Sequence, residues 1–234
     1  MNKFSVKFEL LACALLSACS YKVEAPIAPS YDVYSSYSDK VPGRWAILVN
    51  GNPLKGDFKV SGYNCSAHTY PLDAEQAFDT SVVRTLENIV ESAEEVKMPL
   101  SRDQLLQDGY AGLIRLNGED LDVDLDVVPG FWSVQMEARV QLTAALAVDG
   151  SSGRLLGGRI ASEADSKAEA GGGCGGGADA ISKATQKALK RLMEELGEKV
   201  SNEARLRQVN SPILLYSPSQ RQSNFDPYAI EPTN

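Results

Sequence analysis

Alternating apolar and polar residues predict that the middle of the chain forms a β-sheet. From Leu121 to Val127 every second residue is apolar, and the residues between them are aspartates. Strand side chains point alternately to the two faces of a sheet, so this pattern indicates one buried and one solvent-exposed face. Further strands are predicted over 44–49, 58–63, 110–116, 132–148 and 154–166.

Turn-forming sequences predict how these strands are connected. The sequence Asn-Gly-Asn-Pro at 50–53 follows the first strand and favours a hairpin to the second. Asn117-Gly118 is a tight-turn pair, so 110–116 and 121–127 are expected to be separate strands. A Pro-Gly pair at 129–130 ends the alternating strand, and a loop at 149–153 precedes the last one.

Two segments have the apolar spacing of three and four residues that is typical of amphipathic helices. One helix is predicted over 74–95 with Asp73 as its N-cap, and the other over 179–200. Residues 100–108 are expected to form a loop or a short helix. The apolar faces are Phe78, Val82, Leu86, Ile89, Ala93 and Val96 in the first helix, and Ile181, Ala184, Ala188, Leu192, Leu196 and Val200 in the second.

These elements predict an α+β fold. A mostly antiparallel sheet of five to six strands, with two amphipathic helices packed on one face, is the simplest arrangement that buries both helix faces. Residues 43–201 are expected to form this single domain. Residues 19–42, punctuated by Pro26, Pro29 and Pro42, are expected to be a flexible tether, and residues 202–234 a proline-rich tail.

The N-terminal residues have the order of a secretory signal. Lys3 and Lys7 precede a short apolar run, and small residues follow it. The sequence Leu-Ser-Ala-Cys at 16–19 resembles the lipobox of bacterial lipoproteins. That resemblance implies removal of residues 1–18 and lipid attachment at Cys19, and Ser20 after the cysteine favours the outer membrane. The alternative is an ordinary signal peptide with a coincidental cysteine.

Charge limits the classes of partner. The formal net charge is −8, which argues against a nucleic-acid partner because such a partner needs a basic surface. It also argues against electrostatic adsorption to anionic lipid, so lipid at Cys19 would provide the membrane attachment. No cofactor and no metal centre are expected, and a single histidine excludes a zinc site with several histidines.

The cysteines predict a disulfide. If Cys13 is removed with the signal and Cys19 carries lipid, Cys65 and Cys174 remain. Two cysteines in an oxidising compartment are expected to pair, with a free thiol or a link to a partner as alternatives. Cys174 lies within the glycine run 171–177, which is expected to be a flexible return from strand to helix. That run lacks the lysine of a phosphate-binding loop.

The conspicuous charged feature is the aspartate ladder, Asp120, Asp122, Asp124 and Asp126. It is expected to be a solvated sheet face or a docking surface for a basic partner. A calcium site is the alternative, although the glycine and glutamate of an EF-hand loop are missing. Phe131 and Trp132 would form a ligand-stacking site or, as expected of aromatics at a strand start, pack in the core.

Residues 110–200 resemble a group of periplasm-facing lipoproteins. The group includes the curli-secretion lipoprotein, activators of penicillin-binding proteins and auxiliary lipoproteins of ABC transport systems. The matching features are the strand 110–114, the strand Leu142–Val148, the loop Asp149–Gly153 and the alanines of the last helix. The resemblance implies a non-enzymatic adaptor or assembly component, and a homo-oligomer is compatible with it. It assigns no function to any individual residue.

Together these observations predict an outer-membrane lipoprotein that faces the periplasm. Its partners would be the membrane, through the lipid, and another envelope protein of a transport, secretion or wall machine. The alternative is an envelope module that binds calcium or a small ligand. A hydrolase is disfavoured because no nucleophile, base and orienting group occur in a recognisable sequence pattern.

Overall fold

The computed structural model describes residues 20–62 and 64–208. The predicted signal peptide, Cys19 and residues 209–234 lie outside this part of the chain. In chain order the elements are β1 (Val23–Glu24), β2 (Val41–Asn50), β3 (Lys55–Phe58), β4 (Tyr70–Asp73), α1 (Glu75–Ile89), β5 (Val90–Glu95), α2 (Arg102–Gln107), β6 (Gly112–Pro129), β7 (Val134–Gly150), β8 (Gly153–Glu169), α3 (Gly176–Asn202) and α4 (Ala204–Gln208).

The main sheet has five strands in the order β5-β2-β6-β7-β8. Strands β6, β7 and β8 are antiparallel, whereas β2 is parallel to both β5 and β6. A second sheet of three short strands has the order β1-β4-β3. The predicted α+β class is therefore confirmed, and the parallel pairs around β2 are an addition to it.

Helices α1 and α3 cover one face of the main sheet, as predicted. Their apolar residues, among them Phe78, Leu86, Ile181 and Leu192, are fully buried in one core. The short helix α2 lies on the opposite face, where Leu105 packs in a small cluster with Ala46 and Leu113. No helix in the described ranges is long and apolar enough to cross a bilayer.

The predicted hairpin between 44–49 and 58–63 is wrong. Strand β2 lies in the main sheet, and β3 pairs with β4 in the small one. The chain instead turns at Gly51, where an added Cβ would lie 2.9 Å from the backbone oxygen of Glu75. This close approach directs the chain along the start of α1 and away from β2.

The predicted turn at Asn117-Gly118 is also wrong, because β6 continues through it. The register shifts between Gly118 and Asp120, which marks a bulge within one long strand. A Cβ at residue 118 would lie 2.6 Å from Cγ of Leu54, a fully buried side chain. The glycine therefore makes room for a core side chain and does not reverse the chain.

The first helix is shorter than predicted. It begins at Glu75, whose amide donates a 3.0 Å hydrogen bond to the Asp73 carboxylate, and it ends at Ile89. Residues 90–95 form β5, which pairs with β2 from Val41 onwards. Pairing with a distant strand thus replaces the last turns of the predicted helix.

Residues 20–42 differ from the expected tether, because they pack on the domain. Strand β1 pairs with β4, and the amides of Ala28 and Ser30 donate hydrogen bonds to the buried hydroxyls of Ser81 and Thr85 on α1. At the other end, Leu206 of α4 is fully buried, so the start of the predicted tail also belongs to the packed structure.

Candidate functional site

The aspartate ladder lies on the uncovered side of the main sheet. Asp120, Asp122, Asp124 and Asp126 are exposed, and the apolar residues between them are buried. We call this side of residues 119–126, 135–145 and 159–169 the open face. Helix α2 leaves it uncovered, because its small cluster lies over β2 and the start of β6.

Cross-strand ion pairs neutralise part of the open face. Three pairs join Arg139 to Glu163 at 3.2 Å, Lys167 to Glu137 at 3.0 Å, and Arg159 to Glu119 at 2.6 Å. Within the described residues, Asp120, Asp122 and Asp124 form no ion pair. Because each base on the face already has an acidic partner, the ladder gives this face an excess of negative charge.

A metal-binding cluster is not found in the part of the chain that the structure describes. Over residues 20–62 and 64–208, no three His, Cys, Asp or Glu side chains are grouped so that they would hold a metal ion. The ladder carboxylates follow one another along an extended strand, with roughly 7 Å between successive residues of one face. That spacing places them side by side and not around one point.

Asp149, near the end of β7, forms ion pairs with two arginines. It accepts a 2.6 Å hydrogen bond from Arg115 and a second one from Arg154. Burial alone would raise the pKa of Asp149, but the hydrogen bonds from Arg154 and Arg115 outweigh it and hold the pKa below its usual value. This ionic cluster joins β6 to the β7–β8 turn, and the sequence predicted only a loop there.

A groove of about 910 Å³ runs along α1 beside β1 and the end of β5. Six carboxylates but only three basic side chains line it. Asp79 is among them, with one buried carboxylate oxygen that has no hydrogen-bond partner. Burial raises the pKa of Asp79, and the negative charge of the nearby Glu75 adds to this effect. A hydrogen bond from the Gly51 backbone lowers the pKa but does not outweigh the other two. Nothing in the sequence distinguishes this group, since a charged residue at 79 fits the outer side of a helix.

The predicted disulfide between Cys65 and Cys174 is present, with 5.9 Å between the two Cα atoms. It ties the loop before β4 to the loop between β8 and α3. The glycine run around Cys174 is more constrained than expected. A Cβ on Gly177 would lie 2.6 Å from Cε1 of Tyr70, and Gly173 accepts a hydrogen bond from the Tyr21 hydroxyl at 2.5 Å.

Phe131 and Trp132 do not pack in the core, contrary to expectation. They lie at the tip of the β6–β7 hairpin and are 89% and 93% exposed. Their rings contact each other edge to face, with 4.7 Å between centroids. Local sequence did not distinguish a buried strand start from an exposed turn, because the burial of these rings depends on what lies opposite the hairpin tip.

No family model matches the chain, and no curated protein matches it. Solved structures with a similar arrangement include a protein of family DUF330 from Xanthomonas campestris, with 11% identity and a TM-score of 0.42, covering 78% of this chain and 95% of that one. A neuraminyllactose-binding hemagglutinin homolog from Helicobacter pylori has 14% identity and a TM-score of 0.45, covering 77% and 97%. A hypothetical protein from Chlamydia trachomatis has 10% identity and a TM-score of 0.37, covering 68% and 98%.

Proposed function

We propose that this chain is a lipoprotein of the cell envelope, attached to the periplasmic side of the outer membrane through lipid on Cys19. Its α+β domain acts as a non-enzymatic adaptor or assembly component of a transport, secretion or wall machine. The observation that carries the proposal is the lipobox-like sequence Leu-Ser-Ala-Cys at 16–19, placed after a short apolar run. The Cys65–Cys174 disulfide supports it, because disulfides persist mainly in oxidising compartments outside the cytosol.

The open face supports a protein partner with a basic surface. Its ladder carboxylates are exposed and its basic side chains already have acidic partners, so a cationic surface would meet net negative charge. Complementary charge of this kind accelerates association and fixes the orientation of the two partners. The curli-secretion, activator and ABC-transport types named above remain alternatives for the machine.

The anchor is tested by cell fractionation of a Cys19→Ala variant. We expect the variant to leave the membrane fraction, because it lacks the thiol that receives the lipid. Cys13→Ala is the matched control, since it removes a cysteine of the same segment but not the proposed lipid site, and should stay in the membrane fraction. A Cys19→Ala protein that fractionates with membranes as the wild type does would refute the anchor.

The docking surface is tested by crosslinking in native membranes. An Asp122→Asn, Asp124→Asn variant should lose the crosslinked partner, because two unpaired charges of the open face are removed. An Asp32→Asn, Asp39→Asn variant is the control, with the same change of charge at exposed positions away from the sheet. Equal crosslinking of both variants would show that the open face does not dock the partner.

A further inference from the structure

One end of the domain exposes two large aromatic side chains to solvent. The β6–β7 turn is closed by a 3.0 Å hydrogen bond from the Gly130 amide to the Ser133 carbonyl, and it presents Phe131 and Trp132 outward. Val134 beside them is 46% exposed. A contiguous exposed apolar patch is unusual on a soluble surface and marks a binding site for a partner or a membrane.

The segments that form this end are uncharged. Residues 60–72, 127–136 and 170–178 contain no Asp, Glu, Lys or Arg, although charged residues make up 23% of the chain. The structure brings them together: the Ala170 amide donates a hydrogen bond to the Val134 carbonyl, and the disulfide joins Cys174 to Cys65. We call the described residues of these three segments, which include the hairpin tip, the uncharged end.

The chain enters the described structure at the same end. Ser20 forms a bridge with Thr69, and the Tyr21 hydroxyl donates a hydrogen bond to the carbonyl of Gly173. The rings of Tyr21 and Tyr70 stack at 5.9 Å between centroids. Residue 19 is therefore adjacent in sequence to a residue fixed at the uncharged end.

We propose that the uncharged end lies on the phospholipid surface, with Phe131 and Trp132 inserted at the headgroup level beside the lipid on Cys19. This inference rests on the proposed anchor. Since residues 20–42 pack on the domain, no spacer separates Cys19 from it, and lipid at Cys19 would hold this end against the headgroups. Trp is enriched at membrane interfaces because its ring is apolar and its N–H is polar.

The lack of charge at this end is compatible with contact to a lipid surface. The chain has a net charge of −8, so most of its surface would be repelled by anionic headgroups. The uncharged end avoids that repulsion. The open face, with its excess of carboxylates, remains available for a basic partner in the periplasm.

The two tryptophans make the inference measurable. Trp132 is 93% exposed, whereas Trp45 is fully buried and its indole N–H donates to the Pro42 carbonyl. The mature lipidated protein is reconstituted in vesicles of phosphatidylethanolamine and phosphatidylglycerol with brominated acyl chains, which quench only fluorophores in contact with lipid. We expect a blue shift and loss of most of the Trp132 emission, with the Trp45 emission of a Trp132→Phe variant unchanged.

A tryptophan at the opposite end is the matched control. Tyr34 is exposed, and its carbonyl accepts a hydrogen bond from Asn202 at the end of α3. Helix α3 has 27 residues and starts at the uncharged end, so Tyr34 lies about 40 Å away along it. In a Trp132→Phe, Tyr34→Trp variant we expect no quenching beyond that of Trp132→Phe.

The outcomes separate the inference from the anchor on which it rests. An intact mass of the same sample without acyl groups on Cys19 would overturn the anchor and the inference together. An acylated chain with unquenched Trp132 would overturn the inference alone. Trp132 shielded from soluble quencher but not quenched by bromine would assign the hairpin tip to a protein contact, which also overturns it.

Discussion

Cys65 and Cys174, the two halves of the disulfide, both have a left-handed backbone, with φ of 62° and 64°. Among the described residues, no other non-glycine residue has a positive φ. A left-handed conformation costs an L-residue about 1–2 kcal/mol. The disulfide therefore joins two loops at positions whose backbone conformation an L side chain disfavours, and the glycines on both sides of Cys174 allow its loop to follow.

Removal of the disulfide should lower stability by an amount that depends on the replacement. A loop closed over 109 residues stabilises the fold by about 4–5 kcal/mol in the chain-entropy model. A Cys65→Ala, Cys174→Ala variant should lose this stabilisation and keep the strain of the left-handed backbone. The Cys65→Gly, Cys174→Gly variant should be about 1 kcal/mol more stable than the alanine pair, because glycine relieves the strain at some cost in entropy.

Urea denaturation of the two double variants, with the oxidised wild type as reference, measures these differences. If the alanine pair is as stable as the glycine pair or more stable, the left-handed backbone does not persist once the crosslink is removed, and the strain explanation is wrong.

Gly118 and Leu54 should be energetically coupled. Gly118→Ala would place a Cβ 2.6 Å from Leu54 Cγ, and such overpacking costs about 1–3 kcal/mol. Leu54→Ala removes a buried side chain at a cost of about 2–5 kcal/mol. The double variant should be destabilised by less than the sum, since the new methyl group enters the space that Leu54 leaves.

Gly158→Ala is the control for this cycle, because an added Cβ there meets no atom within 4 Å. Its stability should stay within about 0.5 kcal/mol of the wild type. Additive effects of Gly118→Ala and Leu54→Ala would contradict the packing explanation of the bulge.

Asp149 should stabilise the protein in a pH-dependent manner. Its pKa in the folded state is lowered, so its contribution is present above the unfolded value, near 3.8, and is lost as the pH falls through the lower folded pKa. Asp149→Asn should therefore lower Tm near neutral pH, and the difference should shrink in acid. Thermal melts over this pH range test this, with Asp124→Asn as a control that removes a carboxylate without an ion pair. A difference that is independent of pH would exclude the ionic explanation.

Asp79 should have the opposite effect. Burial raises its pKa in the folded state, so ionisation destabilises the fold as the pH rises from the usual aspartate value through the folded pKa. Asp79→Asn keeps an oxygen to accept the Gly51 amide and cannot ionise. We expect its Tm to exceed that of the wild type at neutral pH and to match it in acid. A lower Tm at neutral pH would mean that the charged carboxylate has a stabilising partner.

The local sequence predicted an element correctly where its apolar spacing fits only a strand or only a helix. The alternation at 121–127 and the helical spacing from Ile181 to Val200 both correspond to elements of the structure. The predictions failed where contact with a residue distant in sequence determines the secondary structure. Ala93 fits a helix face as well as a strand, and its pairing opposite Trp45 selects the strand. Asn117-Gly118 fits a turn, and the buried Leu54 opposite Gly118 selects a bulge.

In the candidate site, too, the features set by local sequence could be predicted and those set by distant contacts could not. The exposed side of the aspartate ladder and the partner of Cys65 could be predicted from spacing and number alone. The packing of residues 20–42 could not, because it depends on the hydroxyls of Ser81 and Thr85 on α1, and these have no local signature. The ionic cluster at Asp149 likewise combines residues from three places in the chain.

Lipid attachment at Cys19 is tested directly by the intact mass of the protein extracted from membranes. We predict a chain that begins at Cys19, carries the added mass of acyl groups, and has two hydrogen atoms fewer than the reduced form because Cys65 and Cys174 are joined. A mass that includes residues 1–18, or a cleaved chain without acyl mass, would contradict it.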